Sequence, residues 1–179
     1  MYWRTFLYGG KSYDHSHLYP HTITYVRPAE GSDPPRPYTV KISYSMHCFT
    51  RECKTGETPD PALLYSDDRE TRVFDFNRWE LSRHLPGIIK GLMGRKCFHT
   101  GYRNFFTVEL INEADKAIVK YEIFFEVSRS TQKGILNLFV QSAYVRDTPE
   151  AGKRRHNPPI RFAFILHNTL NNIAIRIPK

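Results

Sequence analysis

Long apolar runs are missing from this chain of 179 residues; none approaches the ~18 residues of a membrane-crossing helix. The first residues, Met1-Tyr2-Trp3-Arg4-Thr5-Phe6-Leu7-Tyr8, are too few and too polar for a secretory signal, and none is expected. Cysteine is scarce. Three residues, an odd number, do not make a disulfide framework, and a reducing cytoplasm is the expected compartment. Acid is in deficit: 18 Asp+Glu against 26 Lys+Arg leave a formal charge of +8. That excess favours a polyanion, RNA or other nucleic acid before an anionic membrane surface, and membrane association is not expected. Tyr8-Gly9-Gly10-Lys11-Ser12 lacks the spacing of a nucleotide phosphate loop. There is no Gly-x-Ser-x-Gly elbow of the hydrolase kind either.

What is present suffices for a folded body. A composition 40% apolar and 14% aromatic excludes wholesale disorder, and the length suits one domain spanning residues 1–179. Residues 1–37 read as an irregular arm and a first strand, and 38–179 as the core. His21–Val26 is β-branched and fits a strand. Residues 27–37 hold four prolines and should be a loop. Tyr38–Phe49 alternates: Tyr38, Val40, Ile42, Tyr44, Met46 and Cys48 on one face, Thr39, Lys41, Ser43, Ser45 and His47 on the other. This is the period of a half-buried strand, hairpinned to the one before it. Residues 51–66 read as a loop.

Asp75 is a plausible N-cap. Phe76, Trp79, Leu85, Ile88, Ile89 and Leu92 recur at helical spacing. Pro86 should split that stretch into helices over about 77–84 and 86–94. Strands follow at Asn104–Ile111, Ile118–Val127 and Ile135–Val145, with connections short enough to require antiparallel neighbours. Residues 146–159 read as a basic Pro/Gly loop. Ile160–His167 alternates and reads as a further strand, and Ile173–Ile177 as a short edge strand. The fold class is α+β: an N-terminal β-hairpin, a short helical segment, then an antiparallel β-meander forming one sheet.

Cleaving RNA without a metal needs a base, an acid, and cations or donors around the phosphorane. His99 is the first candidate. It lies where the helical segment turns into the meander, among Arg95, Lys96 and Arg103. Those cations should depress its pKa and leave a neutral imidazole able to accept a proton. Arg129 and Lys133 flank the second turn beside Ser130. Alternation sets Ser142 and Tyr144 on one face with Leu136, Leu138 and Val140, where hydroxyls could rim a cleft. His47, on the polar face of its strand, could pair with His99. Arg95, Lys96, Arg103, Lys133, Arg146, Lys153, Arg154 and Arg155 would contact nucleic acid. No cofactor is required. A zinc alternative is Cys48, Cys53, Cys97 and His99, at loose spacing, and a second metal alternative is the cluster His15, His17 and His21 with His47.

The segments Arg95–Gly101, Asn104–Phe106 and Gln141–Val145 resemble bacterial and mobile-element proteins called stationary phase growth adaptation proteins, over about residues 38–179. That resemblance implies a setting of plasmids, phages and islands rather than a reaction. The helix-then-meander order and Ser142-Ala143-Tyr144 are also similar to the barnase–EndoU–colicin–RelE ribonucleases. In that likeness His99 stands for the general base, Arg129 for the phosphate clamp, and Ser142 and Tyr144 for late-strand hydroxyls. Residues 1–75 have no counterpart in the minimal toxins. Two functions follow as expectations: a metal-independent, toxin-type endoribonuclease with a protein antitoxin, or a non-catalytic basic protein that binds nucleic acid or a defence complex.

Overall fold

The computed structural model describes residues 2–101, 104–112, 118–145 and 158–176. The first twenty residues, read from sequence as irregular, hold an antiparallel hairpin of β1 (Phe6–Tyr8) and β2 (Lys11–Tyr13). Phe6 stacks on Phe74 with ring centroids 3.9 Å apart, and Trp3 donates from its indole to the Tyr44 carbonyl. Burial of aromatic area therefore holds this arm against the body.

β3 (His21–Arg27) and β4 (Arg36–Tyr44) form the expected hairpin. Tyr38, Val40, Ile42 and Tyr44 are all buried, as the alternation requires. The strand stops at Tyr44, however. Met46–Cys48 forms a 3-10 turn, and the Ser45 side chain accepts from the His47 N–H at its start. His47 is therefore not on a strand. Residues 51–66, read as a loop, contribute β5 (Thr50–Arg51) and β6 (Leu64–Ser66), which flank β7 (Thr71–Phe74) in a small separate sheet.

Asp75 caps α1 (Phe76–Ser82), accepting from the Arg78 N–H at 3.0 Å. Pro86 falls in the first turn of α2 (Leu85–Lys90), where its missing N–H costs nothing. α2 ends at Gly91, short of the expected boundary, and a 3-10 turn carries the chain to Gly94. Next come β8 (Lys96–His99), β9 (Phe105–Asn112), β10 (Ile118–Arg129) and β11 (Ile135–Val145), the last three being the expected meander. Residues 160–167 depart most from expectation. β12 is only Ile160–Arg161, and α3 (Phe162–Leu170) follows at once. Phe162, Ile165 and Leu166 face the core at helical spacing, while Phe164, inward in the strand reading, is 52% exposed. Residues 173–176 form no strand.

Among the described residues the main sheet runs β12-β8-β9-β10-β11-β4-β3. The β4–β11 pair is parallel and joins the N-terminal hairpin to the meander. α3 packs across β10 and β11. The Phe162 ring meets both Tyr25 and Phe125 edge-on, and the Tyr25 hydroxyl donates to the Ile89 carbonyl. No described helix is long and apolar enough to cross a membrane.

β11 carries a bulge. Phe124 pairs with Ser142 but Phe125 with Val140, so Gln141 is an extra residue. An inserted residue reverses which face every later side chain takes. Leu136, Leu138 and Val140 point inward before the bulge, and Ala143 points inward after it. Ser142 and Tyr144 thus lie on the face opposite those leucines, contrary to simple alternation.

Candidate functional site: a polar cleft at the end of the meander

β10 runs past the start of β9. Phe105 pairs with Phe125, and Glu126–Arg129 continue beside β11 alone. The notch left at that step is walled by the end of α3 and residues 172–175, forming a cleft of about 1040 Å³. A Schellman motif sets the α3 wall: the Ile173 N–H bonds back to Asn168 O at 2.8 Å and the Asn172 N–H to Thr169 O at 3.2 Å. Asn172 takes the left-handed conformation this motif demands, at φ 57°. Phe105, Val127, Ile173 and Ile175 give the cleft its apolar lining.

The polar lining begins with His99, which is buried. Its Nδ1 accepts from the Gly101 N–H at 2.9 Å, in a turn where Gly101 has φ +93°. Burial lowers its pKa. The direction matches the expectation from sequence, but the cause is desolvation rather than neighbouring cations. With Nδ1 accepting, the neutral ring carries its proton on Nε2.

A chain of side chains crosses the cleft. Thr100 Oγ1 donates to Asn104 Oδ1, Asn104 Nδ2 to Gln141 Oε1 at 2.6 Å, and Gln141 Nε2 to Glu126 Oε2 at 3.3 Å. The bulge is what brings Gln141 to this chain. Arg129 ends β10 at the cleft, exposed and without an ion pair among the described residues. Asn168 stands on α3 opposite.

The other candidates from sequence are elsewhere. Ser142 and Tyr144 do not line the cleft; Tyr144 stacks on Phe124 at 5.6 Å with the Arg78 guanidinium over its ring. His47 binds Glu70 at 2.6 Å beside the small sheet. Its turn follows β4, and His99 lies on β8. Four strand spacings separate these strands, about 19 Å, so the two histidines form no acid–base pair. Arg95 pairs with Glu109 at 2.7 Å, whereas Lys96 and Lys133 are exposed. Arg103, Arg146, Lys153, Arg154 and Arg155 lie outside the described residues.

Neither metal alternative assembles among the described residues. Cys48 and Cys97 are buried thiols, each pushed up to about 12 by desolvation; β9, β10 and β11 lie between β8, which carries Cys97, and β4, whose following turn carries Cys48, and Cys53 is exposed. A thiol so disposed to stay protonated is a poor metal ligand. The histidines of the arm each bond a different atom. His15 Nδ1 reaches Arg4 O, His17 Nε2 reaches Ser82 Oγ, and His21 Nδ1 reaches Tyr19 O.

Sequence reasoning found His99 and Arg129 and missed Asn104, Glu126, Gln141 and Asn168 as cleft residues. Nothing in the local pattern marks Glu126, an outward acid on a strand. Asn168 was hidden by reading its helix as a strand.

A family model described as the YjaZ family matches residues 5–170, and the chain belongs to that family. It is 34% identical over 182 residues to Protein YjaZ of Escherichia coli (strain K12), covering 99% of this chain and 96% of that protein. No solved structure matches.

Proposed function

We propose that this YjaZ-family protein binds single-stranded RNA, with one nucleotide seated in the cleft at the end of the meander. The observation that carries the reading is the placement of Arg129, a cation without an ion pair among the described residues, in one cleft with the side chains of Asn104, Gln141, Asn168 and Glu126. A guanidinium suits a phosphate. Amides beside apolar walls suit the edge and face of an unstacked base. The formal charge of +8 favours the same partner.

Cleavage is the second reading. Its support is that a carboxylate, an imidazole N–H and a guanidinium line one cleft. Glu126 would take the 2′-hydroxyl proton as that oxygen attacks phosphorus. The imidazolium form of His99 would protonate the leaving 5′-oxygen as its bond to phosphorus breaks, and Arg129 would hold the phosphoryl oxygens. The toxin-type, mobile-element setting suggested by sequence resemblance belongs with this reading.

Fluorescence anisotropy with a labelled single-stranded RNA of mixed sequence tests the binding. Arg129→Ala should weaken it about ten-fold or more. The same change should reduce the salt slope by roughly 0.7, one phosphate's worth. Absence of binding at low salt, or binding indifferent to Arg129→Ala, would refute the reading. Labelled total RNA incubated in EDTA tests cleavage. Fragments that vanish in Glu126→Gln support it, and intact RNA removes the cleavage reading alone.

A further inference from the structure

Most polar groups of the cleft are already engaged. The amides of Asn104 and Gln141 bond to each other, and Gln141 also bonds Glu126. Asn168 differs. It is 5% exposed and lines the cleft, yet its side-chain amide makes no hydrogen bond to any described residue. Its polar atoms are not among those sealed away from solvent without a partner. The small exposed part of the side chain therefore opens on the cleft. A buried amide left without partners is disfavoured, and a chain that merely needed to fill this position would be served by an apolar residue.

The position is also rigid. Asn168 sits in the last turn of α3, two residues after Leu166, which with Ile165 is anchored in the core. Its own carbonyl is held by the Ile173 N–H. Helix C-terminus and Schellman turn together fix where the amide stands, as a recognition group needs.

We infer that Asn168 is the specificity-determining residue of the cleft, and that its amide reads an adenine edge. This rests on the RNA-binding reading above and deepens it. A carboxamide offers one acceptor beside one donor. Adenine offers the matching pair on both open edges, its exocyclic amine with N1 and with N7, whereas cytosine and uracil offer one on a single edge, and Asn is a common bidentate partner for adenine. Arg129 stands in the same cleft to take the phosphate, which orients the nucleotide and leaves its base to α3.

The test compares labelled oligoadenylate, oligouridylate and oligocytidylate decamers by anisotropy, with wild type, Asn168→Asp and Asn168→Leu. Wild type should bind adenylate most tightly, by roughly 5-fold or more. Asn168→Asp keeps the shape but replaces the donor with a second acceptor, and it should level that preference. Asn168→Leu should also level it while melting at or above the wild-type temperature, because it removes an amide without partners. Equal affinity for the three decamers in wild type, or a preference that survives both variants, overturns the inference and leaves RNA binding standing. A melting temperature lowered by several degrees in Asn168→Leu also overturns it, since that is the mark of an amide bonded within the fold. If no decamer binds wild type at low salt, the RNA reading falls and this inference with it.

Discussion

Two polar clusters border the meander, and they differ in what their side chains are bonded to. Beside the small sheet Arg72 and Arg78 are both engaged. Arg72 donates to Thr50 Oγ1 and pairs with Glu70, Glu70 binds His47, and Arg78 donates to the carbonyls of Thr50 and His47. The Thr50 hydroxyl in turn donates to Met46 O. In the cleft, Arg129 has no ion pair and Asn168 no side-chain hydrogen bond among the described residues. The first cluster ties β5 and β7 to α1. The second leaves polar groups lining a space a ligand can occupy. The richer cluster of charged residues is thus the structural one, and the sparser one is the candidate site.

A third group sharpens the contrast. His15 Nε2 also lacks a partner, but the ring is fully buried against Phe49, Tyr65 and Phe74, where nothing can reach it. A missing partner signals a ligand only where there is access. Enclosed, it makes the fold sensitive to acid. Burial lowers the His15 pKa from 6.5 to about 4. The unfolded chain then binds the proton first, so stability falls as pH drops from about 6.5 towards about 4 and levels off below. The gap corresponds to roughly 3 kcal/mol at most. Burial lowers His17 and His99 as well, with the same sign. Urea unfolding at several pH values should show the decline, and His15→Asn, which keeps a donor for Arg4 O, should flatten part of it. An identical acid limb in the variant would remove His15 as its source.

The next effect is slightly smaller and separates the clusters directly. Arg78→Ala leaves the Thr50 and His47 carbonyls without their donor and should cost about 2–3 kcal/mol in urea. Arg129→Ala should change stability by no more than about 0.5 kcal/mol while weakening RNA binding. Equal stability losses would erase the distinction between the two clusters.

How much of this was legible in the sequence depended on whether a local pattern had one physical reading. The β4 alternation did, as did the Asp75 cap, the break at Pro86 and the meander with its short turns. Residues 160–167 did not. Ile160, Phe162, Phe164 and Leu166 alternate like a strand, yet Phe162, Ile165 and Leu166 also fit a helix, and packing on β10 and β11 decided for the helix. Gln141 is a subtler case. A single extra residue turned Ser142 and Tyr144 to the other face, and no composition signal announces a bulge. For the site, His99 and Arg129 were visible because their chemistry is distinctive. Asn168 was not, because its significance lies in the hydrogen bonds it does not make, which only a packed structure reveals.

Titration of isotope-labelled protein with the adenylate decamer, followed by NMR at the Asn and Gln side-chain amides and the Arg Nε–H groups, tests the central claim most directly. Signals of Asn168 and Arg129 should shift and saturate together, while Arg72 and Arg78 stay in place. Shifts confined to Arg72, Arg78 and His47, with the cleft unmoved, would contradict the account.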